Sequence, residues 1–183
     1  LLNVLAGACI ICTCILKPSR EDEIIELDRD RFLVQESDGY YLRYQLGKSG
    51  KFGAREEIER PIPWITAYAL KLMERLGDNL SRIYGDTSPY SKRLFYLPTA
   101  AFFRPYHNRR ALTKSLDVFA DYVNLSPDEY GRRWYPRVHE LRKWFLLLFF
   151  WSGRFDVLDA ARWIAGHTDA EHLWAYIESN FPG

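Results

Sequence analysis

His139 and Arg142 stand three residues apart in "RVHELRKWFLLLFFW" (137–151), at the head of a run that is otherwise almost wholly apolar. Residues three apart share one face of a helix. One reading is packing, with both polar groups reaching back to solvent. The other is that the helix carries two phosphate-handling groups into a cleft, since a guanidinium offers a fixed fork of donors that fits phosphate oxygens. The stretch alone leaves both open. Four further residues have chemical capacity and an ordinary structural reading each. Arg20 heads an acidic segment and can pair with Glu23 or Glu26. Lys48 sits in the glycine-bearing "GKSGKFGARE". His167 follows Gly166, where a histidine often caps helix carbonyls. Tyr176 lies in an aromatic-rich segment, where core packing is the ordinary role.

The composition leaves room for such a site. A chain of 183 residues, 48% apolar and 16% aromatic, can bury a substantial core in one domain. The net charge of +1 hides an uneven distribution. Acidic residues dominate from Glu21 to Asp38, whereas Lys92 to Lys114 holds six Lys/Arg and no Asp or Glu. A basic surface is compatible with that pattern. Cys9, Cys12 and Cys14 all fall inside "LLNVLAGACIICTCIL", an odd number in one apolar stretch. They give no disulfide framework and point to a reducing, cytoplasmic setting. A metal reading of the CxxCxC spacing lacks a fourth ligand. The stretch has no basic residue before it and falls short of the ~20 residues a membrane span needs. A buried core helix is expected, and no membrane association.

The elements that must position these residues follow from local patterns. A first helix over about 1–16 stops near Lys17-Pro18, because the residue before proline avoids helical geometry. A short second helix follows in "PSREDEIIEL", with Ser19 as its N-cap and acids in its first turn. "RFLVQES", an Asp38-Gly39 turn, "YYLRYQL" and "EIERPIP" predict three antiparallel strands, with Ile58, Arg60 and Ile62 alternating on the third. Helical periodicity resumes in "WITAYALKLMERL". Residues 77–110 read as irregular, with loops and a short helix. Helices are expected again in "ALTKSLDVFADYV", from about Val138 to Trp151 buried nearly all round, and in "FDVLDAARWIA", stopped by Gly166. A last helix carrying Tyr176 would start from a capping box of Thr168 and Glu171. The expected fold is mainly α with a small three-stranded antiparallel β-sheet, an α+β class.

Taken together and in order, Arg20, Lys48, His139-x-x-Arg142, His167 and Tyr176 resemble the catalytic domain of the tyrosine recombinase (phage integrase) family. "SREDEI" resembles that family's Arg-x-x-Glu motif and "HELRK" its His-x-x-Arg box. "LGKSGK" falls on a β-hairpin, where the family places its lysine. "AGHTDAEHLWAY" resembles its Gly-His box, with the tyrosine nine residues after the histidine. The likeness runs from the first helix almost to the C-terminus. It implies site-specific cleavage and rejoining of double-stranded DNA, without metal, cofactor or ATP, and self-association into a tetramer on DNA.

The resemblance also implies roles. Arg20 and Arg142 would clamp the scissile phosphate, and His139 and His167 would donate hydrogen bonds to the developing phosphorane. Tyr176 would attack, leaving a 3′-phosphotyrosyl link and a free 5′-hydroxyl. With an ordinary pKa of about 10, it depends on cationic surroundings to act as a nucleophile. Lys48 would protonate the leaving oxygen, with Lys51 as the fallback. Glu23 would support an arginine or the local turn. Lys51, Arg104, Arg109 and Arg110 are candidates for DNA-backbone contact, with a solvated basic loop as the bland alternative.

Three departures accompany the likeness. "PSR" stands where the family often has Gly-Leu-Arg, the hairpin offers two lysines, and only seven residues follow Tyr176. The short tail, the initial leucine and the missing N-terminal DNA-clamping domain fit a catalytic fragment. Type IB topoisomerase activity and an inactive DNA-binding protein of the same fold are the alternatives. A metal-dependent hydrolase built on His107, His139, His167 and His172 is disfavoured, because the spacing is not that of helical ligands and no carboxylate cluster joins them.

Overall fold

The computed structural model describes residues 1–46, 55–98, 105–106, 109–152 and 157–166. Helix α1 (Leu2–Leu16) ends at Lys17, whose extended backbone leads into Pro18 as the pre-proline restriction requires. Its inner face, including Ala6, Cys9, Ile10 and Cys14, is buried. Gly7 lets α1 approach α4 (Arg109–Tyr122) at close range: a Cβ there would stand 2.3 Å from the Ser115 carbonyl oxygen and 2.6 Å from Phe119 Cβ. Gly7→Ala is therefore expected to destabilise the fold by about 1–3 kcal/mol, the usual cost of overpacking. Urea unfolding reads this directly; an unchanged midpoint would mean that α1 and α4 do not cross there.

Helix α2 (Glu21–Ile25) has Arg20, not Ser19, at its N-cap position. Glu23 makes the difference, because its carboxylate accepts the Arg20 backbone N–H at 2.8 Å and so closes the first turn one residue later. Strands β1 (Leu33–Glu36), β2 (Gly39–Gln45) and β3 (Glu57–Ile62) form the expected antiparallel sheet in the order β1-β2-β3. Glu36 pairs with Gly39, so the hairpin turn is Ser37-Asp38, one residue earlier than expected. Opposite registers place Leu42 and Tyr44 on β2 beside Arg60 and Ile58 on β3. Pro61 is tolerated because β3 is an edge strand.

Helix α3 (Trp64–Tyr84) corrects the expectation that structure becomes irregular at residue 77. Gly77 is interior to it, and the side chain of Arg29 occupies the space that a Cβ would need. The helix ends instead at Gly85, in the left-handed conformation with φ +59°. A 3-10 turn (Pro89–Lys92) and a short pair of strands, β4 (Leu97–Pro98) and β5 (Pro105–Tyr106), lead to α4.

Helix α5 (Val138–Trp151) begins where Glu140 accepts the Arg137 backbone N–H at 3.0 Å. Its first turn joins the main core through Val138 and Leu141, alongside Ile10, Ile24, Leu42, Leu70 and Met73. Its rear half does not. Leu146 packs with Ala161 and Ala165 of α6 (Val157–Ala165) in a separate small cluster, flanked by the stacked Phe145 and Phe149. Trp144, Leu148 and Trp151 are exposed, so α5 is not buried all round. The apolar run serves two neighbours on one side only.

The cysteines are free thiols. Burial pushes Cys9 up to about 11 and Cys14 up to about 12, which keeps both protonated. Among the described residues no group of His, Cys, Asp or Glu is arranged to hold a metal, and no helix is long and apolar enough to cross a membrane.

Candidate active site

The segment Lys17-Pro18-Ser19-Arg20, between α1 and α2, meets α5, the sheet and the end of α6. Arg142 brings these parts together. It is 7% exposed, and its guanidinium donates to the Pro18 carbonyl and, at 3.0 Å, to the Ala165 carbonyl. One side chain thus ties the turn that carries Arg20 to the last residue of α6. Donors in a rigid fork suit this bridging, which a lysine could not reproduce.

The C-terminus of α6 has a second cationic tie. Arg60 on β3 donates through Nε to the Trp163 carbonyl at 2.7 Å and lies 4.4 Å from the centroid of that indole ring. The carbonyls at a helix C-terminus lack intrahelical partners and carry its partial negative charge, so two guanidiniums there satisfy both hydrogen bonding and the dipole. Gly166 then turns the chain with φ +65°. A Cβ at that position would lie 2.5 Å from Leu46 Cδ2 and 3.7 Å from the Tyr44 hydroxyl, so the turn fits tightly against β2. The expected helix stop at Gly166 stands.

Arg20 and Glu23 belong to the start of α2, just after Pro18. The Arg20 side chain is 25% exposed and stands 3.7 Å from the Glu23 carboxylate, which is itself almost fully buried. Glu23 thus contacts both the turn and the arginine. His139 is exposed on the first turn of α5, three residues before buried Arg142. The two lie within one helical turn, His139 exposed and Arg142 buried.

Two residues that the sequence reading passed over complete the cluster. Lys17 is fully buried, with Nζ 3.8 Å above the centroid of the Tyr44 ring and, among the described residues, without a hydrogen-bond partner. Burial pulls its ammonium down to about 7, against the attraction of Glu23 and with the repulsion of Arg142 and Arg60. The Tyr44 hydroxyl is also buried and unpartnered. Burial raises its pKa first, then the nearby Glu23 charge, while Arg60, Arg142 and Arg20 act the other way. The signal for Arg60 was visible in the alternation of Ile58, Arg60 and Ile62, which puts a charge on the buried face of a strand. Lys17 gave no signal beyond stopping a helix.

Lys48, Lys51, Arg104, His167 and Tyr176 lie outside the described residues, as do His107, His172 and the Thr168–Glu171 capping box. Arg109 and Arg110 are both exposed on the first turn of α4. Arg109 Nε is 3.0 Å from the Glu21 carboxylate, which offsets part of its charge and links α4 to α2.

No family model and no curated protein matches the chain. Among solved structures, it is similar to the XerH site-specific recombinase bound to its difH substrate in a pre-cleavage complex. The TM-score is 0.57 at 18% identity, over 94% of this chain and 42% of that one. The chain therefore spans less than half the length of that recombinase. Its mainly helical fold with a three-stranded antiparallel sheet is tyrosine-recombinase-catalytic-domain-like.

Proposed function

We propose that the chain is the catalytic part of a site-specific DNA recombinase, which cleaves and rejoins strands through a covalent tyrosine link. The observation that carries this reading is the charge of the cluster. Lys17 and Arg20 from the segment between α1 and α2, Arg60 from β3 and Arg142 from α5 converge around Tyr44, with Glu23 as the balancing carboxylate. Such an excess of cations suits an anionic ligand such as a phosphodiester, and the solved structure of similar fold is a site-specific recombinase bound to its difH substrate.

In this scheme Arg20 and Arg142 neutralise the non-bridging oxygens, which lowers the barrier to forming a five-coordinate phosphorane. His139 donates a hydrogen bond to the same phosphate, as does His167. The Tyr176 oxygen forms a bond to phosphorus as the bond to the 5′-oxygen breaks. The phenolic proton passes to solvent and Lys48 supplies one to the leaving oxygen, so a free 5′-hydroxyl results. The new ester keeps the energy of the old one, and a 5′-hydroxyl reverses the step without ATP. Arg110 contributes to backbone contact, and assembly on DNA as a tetramer completes the reading.

The test is a nicked suicide duplex that carries the cognate site. The unaltered protein is expected to give a covalent protein–DNA adduct that survives EDTA, and Tyr176→Phe none at all. A bound but never-cleaved site would identify a DNA-binding protein instead. Cleavage that EDTA abolishes would point to a metal-dependent hydrolase, and supercoil relaxation without strand exchange to a topoisomerase.

A further inference from the structure

Lys17 has no part in the cleavage scheme, yet it occupies the centre of the cationic cluster. A buried ammonium without a hydrogen-bond partner is held at high cost, and its protonation depends on the charges that face it. The charged groups that face it are Glu23 on α2, Arg60 on β3 and Arg142 on α5, and the neutral titratable ones are Cys14 on α1 and Tyr44 on β2. The carboxylate favours the ammonium, whereas both guanidiniums oppose it. An anion seated on Arg20 and Arg142 offsets that opposition and adds an attraction of its own.

We propose that Lys17 is a positioning residue that takes up a proton when a phosphate of DNA seats on Arg20 and Arg142. Above pH 7 the cluster then carries most of this additional positive charge only while the phosphate is present. The empty site is spared a further buried charge, and the occupied site gains a cation behind the two arginines. Reciprocity requires that proton uptake on binding weaken binding as pH rises. With burial holding free Lys17 near 7, the effect falls just above neutrality, at up to about tenfold in affinity per pH unit. This inference rests on the proposed DNA-phosphate reading for the identity of the anion.

The test uses the full chain labelled with ¹³C at lysine Cε, titrated from pH 6 to 10 alone and with a saturating 20-bp mixed-sequence duplex at low salt. Lys17→Met assigns the Lys17 signal. Its midpoint is expected near 7 in the free protein and at least one unit higher with the duplex, with the increase lost in Arg20→Ala. Anisotropy titrations are expected to show affinity falling more steeply between pH 7 and 8 for the unaltered chain than for Lys17→Met. A free midpoint near the ordinary lysine value, or one that bound duplex leaves unmoved, would overturn the inference. If Lys17 responds but the suicide substrate yields no adduct, the recombinase reading fails and this one stands. If the adduct forms and Lys17 is silent, only this one fails. Absence of duplex binding would sink both.

Discussion

Arg142→Ala is expected to lower the free energy of unfolding by about 2–5 kcal/mol and to reduce adduct formation on a suicide substrate by at least about 10²-fold. The stability term follows from the two carbonyls that Arg142 serves. Pro18 and Ala165 are both buried, and each loses a charge-assisted hydrogen bond when the guanidinium is removed. An unmet buried acceptor costs about 1–3 kcal/mol. Relief acts in the other direction, because Arg142 repels the Lys17 ammonium. That repulsion runs through space to a group that can shed its proton, so it is smaller than two direct hydrogen bonds.

The two effects of Arg142 separate in Arg142→Lys. Lysine keeps a charge near the proposed phosphate position but cannot reach two carbonyls with a planar fork. Stability should fall by an intermediate amount, with the folded protein still recoverable for assay. Cleavage should nonetheless stay strongly impaired, since bidentate contact with phosphate is lost. Urea unfolding and single-turnover cleavage on the same preparations decide the matter. Full cleavage by a destabilised Arg142→Lys protein would make Arg142 a strut and nothing more.

The same residues show what was legible in the sequence and what was not. Helix α5 was placed correctly at Val138–Trp151, because a Glu140 cap and a sustained apolar run agree. Its burial was overestimated: a count of apolar residues cannot tell a helix surrounded by neighbours from one with Trp144, Leu148 and Trp151 left in solvent. Gly77 looked like a breaker because its reason is tertiary, the Arg29 side chain lying across it. Ser19 looked like a cap on residue type, yet Glu23 set the turn at Arg20. The Arg20–Glu23 and His139–Arg142 pairs were readable since each lies within one helical turn. The convergence of Lys17, Tyr44 and Arg60 was not, since it depends on how three separate elements pack, and no local spacing encodes that.

Lys17→Met should make the protein more stable, and by an amount that depends on pH. Folded Lys17 titrates near 7, depressed by burial, whereas an unfolded lysine titrates near about 10.4. Below pH 7 both states hold the proton, and the native protein bears the full cost of a buried ammonium. Between about 7 and 10.4 the unfolded chain binds more protons than the native one, so native stability rises with pH at up to about 1.4 kcal/mol per unit. Above that range neither state is protonated and the cost vanishes. Methionine keeps the apolar stem over Tyr44 and has no proton to lose. Its advantage over lysine should therefore be greatest at pH 6 and shrink by about 2–3 kcal/mol by pH 9. Other titrating groups are common to both proteins and cancel in the difference. Urea unfolding at pH 6, 7, 8 and 9 gives the two curves. Parallel curves would mean that Lys17 reaches a solvating partner and titrates as an ordinary lysine, leaving the cluster with a permanent fourth cation instead of a responsive one.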